Sequence, residues 1–238
     1  MNQAMNAGAM NGSAGKTPAV KVSEVNAAAA STPAGQVDFY FDFSSPYSYL
    51  AAESIDALAA RHGYAVNWTP IMLGVIFKST GSAPLTDQHP WRASYSVMDF
   101  KRSADMAGLP FRYPSRFPQA SHNAARVLLW LQQSTPQKGK PFALAVFRNL
   151  FVHDGDIQDA ANLATIARAM DLDEAAVRAA IQDPAIKQKL AANNEAAIAR
   201  KVFGAPTFYV GTEQFWGHDR MPHLERRLEQ LAGEKAAR

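Results

Sequence analysis

The chain has 238 residues, 47% of them hydrophobic, which is enough for one large domain or two small ones with a packed core. Its 24 basic and 21 acidic residues leave a formal charge of +3 and show no basic run with interleaved aromatics, so nucleic acid is not an expected partner. The absence of cysteine excludes disulfides and a protein thiol nucleophile, and the spacing of the six histidines predicts no metal site.

The first 36 residues differ in composition from the rest of the chain. They are rich in Ala, Asn, Gly and Ser and contain no aromatic residue, so residues 1–36 are predicted to form a disordered tail. The stretch lacks the basic start and apolar centre of a secretory signal. No window of about 18 apolar residues occurs, so we expect no membrane span and a cytoplasmic protein.

Residues 37–90 begin with a β-α-β pattern. The aromatic run Val37 to Phe43 predicts a strand, and Ser45 followed by Pro46 is typical of a helix start. The helix is predicted to continue to Gly63, and a second strand follows from Tyr64. A crossover of this kind implies that the two strands are parallel.

Residues 91–200 are predicted to be a series of helices, because apolar residues recur there at helical spacing. Residues 201–233 return to β-β-α, with a hairpin at Gly211-Thr212 and a final amphipathic helix. The order β-α-β, helical insert, β-β-α predicts an α/β thioredoxin-like fold with a large helical insertion. In that fold a C-x-x-C pair would occupy the positions of Ser45 and Ser48, and a cis-proline would lie at Ala205-Pro206.

Three segments carry a more specific resemblance. "FYFDFSSPYSYLA", "FGAPTFYV" and "FWGHDR" together resemble the 2-hydroxychromene-2-carboxylate isomerases, relatives of the kappa-class glutathione transferases and DsbA-type oxidoreductases. The resemblance extends over roughly residues 37–231. It implies a glutathione-dependent isomerase that acts on a small aromatic carboxylate, and it suggests a homodimer.

The resemblance also implies roles for individual residues. Ser45 would hydrogen-bond the glutathione thiolate as the catalytic residue. The backbone of Ala205, before Pro206, would pair with the cysteinyl part of glutathione. Asp219 would hold the γ-glutamyl ammonium, and His218 would contribute an N–H to the γ-glutamyl carboxylate.

Two positions depart from the family pattern. Ser82 stands where relatives often have an asparagine, and Arg92, three residues before Tyr95, stands where they often have a lysine. Both are carried as glutathione-binding candidates. The substrate-binding candidates are Tyr47, Phe77, Lys78 and Trp91, with Phe77 and Trp91 read as loop residues that line an aromatic pocket.

Alternatives remain for several of these residues. Ser45 also suits a simple helix cap, Asp219 suits a helix start, and Lys78, Arg92 or Arg102 suits a solvated surface. The other tryptophans, Trp68, Trp130 and Trp216, are expected in the core. At the level of function, the alternatives are a kappa-like glutathione transferase that acts on other electrophiles, and a DsbA-like binding module without catalysis.

Overall fold

The computed structural model describes residues 35–236, which form a four-stranded mixed sheet covered by helices. The sheet order is β2-β1-β3-β4, with β1 parallel to β2 and antiparallel to β3, and with β3 antiparallel to β4. The strands are β1 (Gly35–Phe41), β2 (Tyr64–Pro70), β3 (Thr207–Val210) and β4 (Glu213–Trp216).

Ten helices surround this sheet within the described residues, and six of them lie between β2 and β3 in the chain after α3. Short 3-10 helices occur at Leu85–Asp87 and His218–Arg220. The α-helices are α1 (Pro46–Ala52), α2 (Ile55–Arg61), α3 (Leu73–Thr80), α4 (Pro90–Met106), α5 (His122–Ser134), α6 (Pro136–Phe151), α7 (Ala160–Arg168), α8 (Glu174–Gln182), α9 (Pro184–Ala199) and α10 (Met221–Ala236).

The predicted element order agrees with this architecture, including the parallel pairing of β1 and β2 and the hairpin between β3 and β4. Most of the predicted tail, residues 1–34, lies outside the described residues. Strand β1 begins at Gly35, inside the range 1–36, and ends at Phe41 rather than Phe43. Because the described residues form one compact unit, the boundaries 37–90, 91–200 and 201–233 remain a prediction.

Two helical predictions were wrong. The single helix expected from Ser45 to Gly63 is divided, because the backbone at Ser54 leaves helical geometry at φ −131° and ψ −17°. Phe77, read as a loop residue, lies in helix α3, in which Ile76 is buried and Gly81 at φ +70° ends the last turn. Trp91 is likewise helical, since it lies in the first turn of α4.

The core is built on the aromatic residues of β1. Phe39 stacks on Phe208 of β3 at 5.3 Å between ring centroids and meets the edge of Trp68 of β2. The ring of Phe41 packs against that of Phe147 of α6, with 5.7 Å between the ring centroids. All these side chains are at most 2% exposed, so the central strand joins its neighbours and the helical insertion in one hydrophobic core. None of the described helices is long and apolar enough to cross a membrane.

A buried carboxylate joins three separate parts of the chain just after β1. Asp42 Oδ1 accepts hydrogen bonds from the Ser121 hydroxyl at 2.5 Å and the Ser44 N–H at 2.9 Å. Its Oδ2 accepts from the Leu73 N–H at 2.7 Å. Burial raises the pKa of Asp42, and these three hydrogen bonds oppose that rise. Asp42 therefore fixes the end of β1 to the first turns of α3 and α5.

Replacement of this carboxylate by an amide tests its role. In Asp42→Asn, the side-chain N–H₂ is itself a donor and would face one of the N–H or O–H donors that the carboxylate now accepts from. One buried donor would then lack an acceptor, so we expect the free energy of unfolding to fall by about 1–3 kcal/mol. Denaturant unfolding measures this change. The matched control is Asp105→Asn at the exposed end of α4, which should unfold like the wild type. Equal stability of Asp42→Asn and wild type would contradict the role given to Asp42.

Candidate active site

Ser45 lies at the point where β1 leads into α1. It is the N-cap of α1, and its hydroxyl accepts a hydrogen bond from the Ser48 N–H at 3.2 Å. The same hydroxyl donates to the backbone carbonyl of Ala205 at 3.2 Å, across 160 positions of sequence. Ser45 is therefore both the predicted cap and a bridge to the second predicted motif. Its side chain is buried, at 5% exposure.

The Ala205-Pro206 peptide bond is cis, as predicted from the sequence. The Pro206 carbonyl accepts a hydrogen bond from the Gly217 N–H at 2.9 Å, which joins the start of β3 to the residue after β4. Gly204 lies beside it, and a Cβ there would come within 2.4 Å of the Trp216 indole nitrogen, so a larger residue would have to displace the indole ring. The Trp216 indole therefore packs closely against the backbone next to Ala205.

Ser48, the second serine of the turn, differs from Ser45 in its hydrogen bonding. Ser48 is fully buried, and within the described residues its hydroxyl has no hydrogen-bond partner. A hydroxyl in this position cannot reach a ligand at the surface. Of the two serines Ser45 and Ser48, only Ser45 makes a hydrogen bond to the cis-proline loop within the part of the chain that the structure describes.

Tyr47, in the first turn of α1, connects α1 with two other elements. Its hydroxyl donates to Asp99 Oδ2 of α4 at 2.6 Å, and its ring stacks on His218 at 4.7 Å with an interplanar angle of 6°. Burial and the Asp99 carboxylate raise the pKa of Tyr47 well above its usual range, so the phenol stays protonated. The hydroxyl is committed to Asp99, and the ring also packs against Phe100 of α4 at 4.9 Å between ring centroids, so contacts with α4 and His218 fix the orientation of Tyr47.

His218 and Asp219 follow β4 in a 3-10 turn. Burial lowers the pKa of His218, while Asp219 and Asp99 oppose the change, so the neutral imidazole is favoured. Asp219 is exposed, and its Oδ2 lies 3.3 Å from Arg220 Nη1. Gly217 precedes the pair at φ +106°, where a Cβ would come within 2.4 Å of Asp219 Oδ1. The glycine therefore lets the Asp219 carboxylate fold back over the turn.

The remaining candidates lie on α3, on α4 and between them. Among the described residues, no hydrogen bond, ion pair or ring contact joins any of them to Ser45 or Ala205. Arg92 donates to Gln88 at 2.9 Å, and Trp91 is 82% exposed with its ring edge near His89. Ser82 and Lys78 are exposed, while Phe77 is half-buried.

The three tryptophans that were expected in the core differ in burial. Trp68 is buried as predicted, and Trp130 is half-buried against the core. Trp216 is 52% exposed, so the prediction for this residue was wrong.

The structure thus brings together six of the eleven candidates: Ser45, Tyr47, Ala205, Pro206, His218 and Asp219. Two residues that the sequence reasoning missed support this group, Asp42 and Asp99. An acid at the end of the apolar run "FYFDF" was a readable signal for Asp42, because a charged residue there needs partners. No comparable signal marks Asp99, because it lies among both polar and apolar residues in helix α4. The described residues contain no group of three or more His, Asp or Glu that could hold a metal ion.

Comparison with known proteins places the chain in a family. The family model for the DSBA-like thioredoxin domain matches residues 36–229. The isomerase named 2-hydroxychromene-2-carboxylate isomerase from Pseudomonas putida is 30% identical over 202 residues, which cover 84% of this chain and 97% of that protein. Glutathione S-transferase kappa 1 of Caenorhabditis elegans is 27% identical, over 82% of this chain and 91% of that protein.

A solved structure of a 2-hydroxychromene-2-carboxylate isomerase, at 27% identity, superposes with a TM-score of 0.77 and covers 85% of this chain and 98% of that one. The chain therefore belongs to the DsbA-like thioredoxin family and, within it, to the 2-hydroxychromene-2-carboxylate isomerase family of enzymes. The fold class and the family expected from the sequence are confirmed.

The lowered pKa of His218 gives a pH-dependent prediction. Because the unfolded chain binds a proton at His218 more readily than the folded chain, the stabilising contribution of neutral His218 is present above pH about 6.5 and is lost as the pH falls through the folded pKa. We expect the free energy of unfolding of the wild type to fall between pH 7 and pH 5, and we expect a smaller fall in His218→Gln.

Denaturant unfolding at a series of pH values measures the effect. His223→Gln, at an exposed histidine of α10, is the matched control and should retain the wild-type pH dependence. A His218→Gln curve parallel to that of wild type would show that burial of His218 does not contribute.

Proposed function

We propose that the protein is a glutathione-dependent isomerase that interconverts 2-hydroxychromene-2-carboxylate and trans-o-hydroxybenzylidenepyruvate. The observation that carries the proposal is the hydrogen bond between the Ser45 hydroxyl and the Ala205 carbonyl beside a cis-proline. The relatives named as this isomerase and as kappa-class transferases support it, since they cover most of the chain. The cytoplasmic location remains a prediction.

The residues around Ser45 fit glutathione in a specific way. The Ser45 hydroxyl and the Ala205 carbonyl are the two groups proposed to bind the cysteinyl part of the tripeptide, and here they satisfy each other at 3.2 Å. This distance is longer than the usual O–H···O separation of about 2.5–3.0 Å, so the hydrogen bond is weak and a ligand can replace it. A cysteinyl N–H would take over the Ala205 carbonyl and release the Ser45 hydroxyl, which then donates to sulfur.

When bound, glutathione supplies a thiolate nucleophile that adds to the substrate and leaves again, so no net oxidation or reduction takes place. Ser45 donates a hydrogen bond to the sulfur and cannot form a disulfide with it. Helix α1 has only seven residues, so its contribution comes from the N–H groups of its first turn rather than from a long helix dipole. The Ser45 hydrogen bond is correspondingly more important than in a long uninterrupted helix.

His218 and Asp219 are proposed to bind the γ-glutamyl end. The Asp219 carboxylate is 59% exposed on its side chain, so an ammonium group can approach it. Neutral His218 donates an N–H without adding a charge, and its ring is held in place by Tyr47. Tyr47 is itself anchored by Asp99, which extends the support of this end of the site to α4.

The substrate is proposed to be a small aromatic carboxylate that lies between α1 and the α3–α4 segment. The Tyr47 ring, Phe77 and Trp91 offer aromatic surface, while Lys78 and Arg92 offer positive charge for the carboxylate. Ser82 is the proposed replacement for the asparagine of relatives. Since a serine and an arginine stand at two family positions, these residues bear on substrate choice more than on glutathione.

A kappa-like transferase is the second candidate, favoured by those two departures and by the kappa-class relatives. Both enzymes would use the same activated sulfur, so the substrate distinguishes them. Conversion of the chromene acid without consumption of glutathione supports the isomerase, whereas conjugation of a chlorinated nitroarene without activity on the chromene acid supports the transferase.

Removal of the Ser45 hydroxyl provides the mutational test. We expect Ser45→Ala to lower kcat/KM for glutathione-dependent isomerisation by about 10²-fold, the usual loss when one donor to a developing or bound anion is removed. The measurement is the isomerase rate at several glutathione concentrations. Ser48→Ala is the matched control, because its buried hydroxyl has no partner, and it should retain the rate.

Two results would contradict the proposal. Equal isomerase rates with and without glutathione would remove the cofactor from the reaction. Failure of millimolar glutathione to raise the melting temperature, together with no activity on either substrate, would leave the non-catalytic DsbA-like module as the better description.

A further inference from the structure

The segment between α4 and α5 carries a tyrosine to which the proposed function gives no role. Tyr113 lies in this segment, residues 107–121, and its ring stacks on Phe100 of α4 with 6.4 Å between the ring centroids and 7° between the planes. Phe117 also packs against Tyr113, at 5.3 Å between centroids. Because Phe100 in turn packs against Tyr47 of α1 at 4.9 Å, Tyr113 lies one ring away from Tyr47, on the α4 side of the space proposed for the substrate.

Hydrogen bonds hold this segment next to the turn that presents Ser45. The Gln119 N–H donates to the Ser44 hydroxyl oxygen at 3.0 Å. The buried Gln119 side chain donates to the Gly155 carbonyl at 3.2 Å, and its oxygen accepts from the Ile157 N–H at 2.9 Å. Since Gln119 binds both the turn and the segment after α6, the backbone that carries the aromatic residues is held at a defined position relative to the candidate site.

The hydroxyl of Tyr113 is available to a ligand. The hydroxyl of the neighbouring Tyr47 donates to Asp99, whereas the hydroxyl of half-buried Tyr113 has no hydrogen-bond partner within the described residues. Burial and the Asp87 carboxylate raise the pKa of Tyr113, so its hydroxyl stays protonated at neutral pH. Tyr113 therefore offers a hydrogen-bond donor at the edge of an aromatic surface.

Asp87 offers an acceptor near this donor. It ends the 3-10 helix between α3 and α4, it is exposed, and its Oδ1 accepts a hydrogen bond from the Thr86 hydroxyl at 3.3 Å. Its charge acts on Tyr113 through space, and no hydrogen bond joins the two side chains in the described part of the chain. A hydroxyl group can accept from a phenol and donate to a carboxylate at the same time, whereas an ether oxygen can only accept.

We propose that Tyr113 and Asp87 together bind a hydroxyl group on the aromatic ring of the substrate and so select its open-chain form. Tyr113 donates to the hydroxyl oxygen, and the hydroxyl donates to the Asp87 carboxylate. This assignment rests on the proposed function, because trans-o-hydroxybenzylidenepyruvate carries such a hydroxyl. In the closed chromene the same oxygen belongs to the ring and cannot donate.

The pair discriminates against other aromatic acids for two reasons. An acid with a methoxy group in place of the hydroxyl leaves Asp87 without its donor and places a methyl group between two polar side chains, and an unsubstituted ring leaves both side chains unpaired. The negative charge of Asp87 also repels a carboxylate, so the acid is bound with its carboxylate directed away from this end of the site.

Binding of unreactive probe acids tests the pair without turnover. The probes are trans-2-hydroxycinnamate, trans-2-methoxycinnamate and trans-cinnamate, measured by calorimetry with the full chain and saturating glutathione. We expect the wild type to bind the hydroxy acid about tenfold more tightly than the other two, as expected for the net gain of one hydrogen bond. Tyr113→Phe, which retains the stacked ring, and Asp87→Ala should each lose this preference.

Two variants elsewhere in the chain serve as matched controls. Tyr209→Phe removes a hydroxyl that donates to the Arg200 carbonyl, and Asp105→Ala removes an exposed charge at the end of α4. Both should retain the wild-type preference for the hydroxy acid. The melting temperature of every variant, with and without millimolar glutathione, verifies that the chain is folded and responds to glutathione as the wild type does.

The results that overturn the proposal are specific to the pair. A wild type that binds the three probes equally, or binds none of them, would overturn it whatever the activity of the protein. A Tyr113→Phe or Asp87→Ala variant that keeps the preference would do the same.

The isomerase assay separates this proposal from the proposed function. Glutathione-dependent activity without a hydroxyl preference would reject the role of Tyr113 and Asp87 alone. A preference that depends on Tyr113, in a protein without that activity, would reject the reaction and support a binding site that selects hydroxyl-bearing aromatic acids.

Discussion

The buried carboxylate of Asp42 is the interaction on which the rest of the site depends. It accepts hydrogen bonds from Ser44, Leu73 and Ser121, and so holds together the end of the central strand and the starts of α3 and α5. A buried charge is costly unless donors satisfy it, and each donor here is fixed by a different element. The turn that presents Ser45 is therefore set by long-range contacts, although its residues look like an ordinary helix start.

A second set of contacts places the partner of Ser45. The cis peptide bond before Pro206, the close approach of Trp216 to Gly204 and the hydrogen bond from Gly217 fix the carbonyl of Ala205. The Ser45 hydroxyl bridges the two sets, and the stack of Tyr47 on His218 forms a second connection two residues further along the chain. The site thus consists of two segments of the chain that meet at a weak hydrogen bond, which suits a position where a peptide-like ligand enters between them.

Much of this fold could be predicted from the sequence, because its signals are local. The apolar strands, the Ser-Pro helix start, the Ala-Pro pair and the hairpin glycine each report on a few neighbouring residues. The errors occurred where distant contacts decide the structure. Helix α3 depends on the Asp42 carboxylate for its first turn, and the break at Ser54 has no glycine or proline to mark it. The exposure of Trp91 on α4 was invisible because periodicity shows that a helix has an apolar side without showing which side is covered.

The partners of Asp42 also bear on how far the chain can be divided. Ser121 belongs to the helical insertion, and its hydroxyl contacts a carboxylate of the β-α-β half. A minimal protein made by joining 37–90 directly to 201–233 would leave that carboxylate short of one donor and would expose the aromatic face of the sheet that Phe147 covers. Engineering that aims to shorten this scaffold must therefore retain α5 and α6, since the reactive turn is assembled from both sides of the junction.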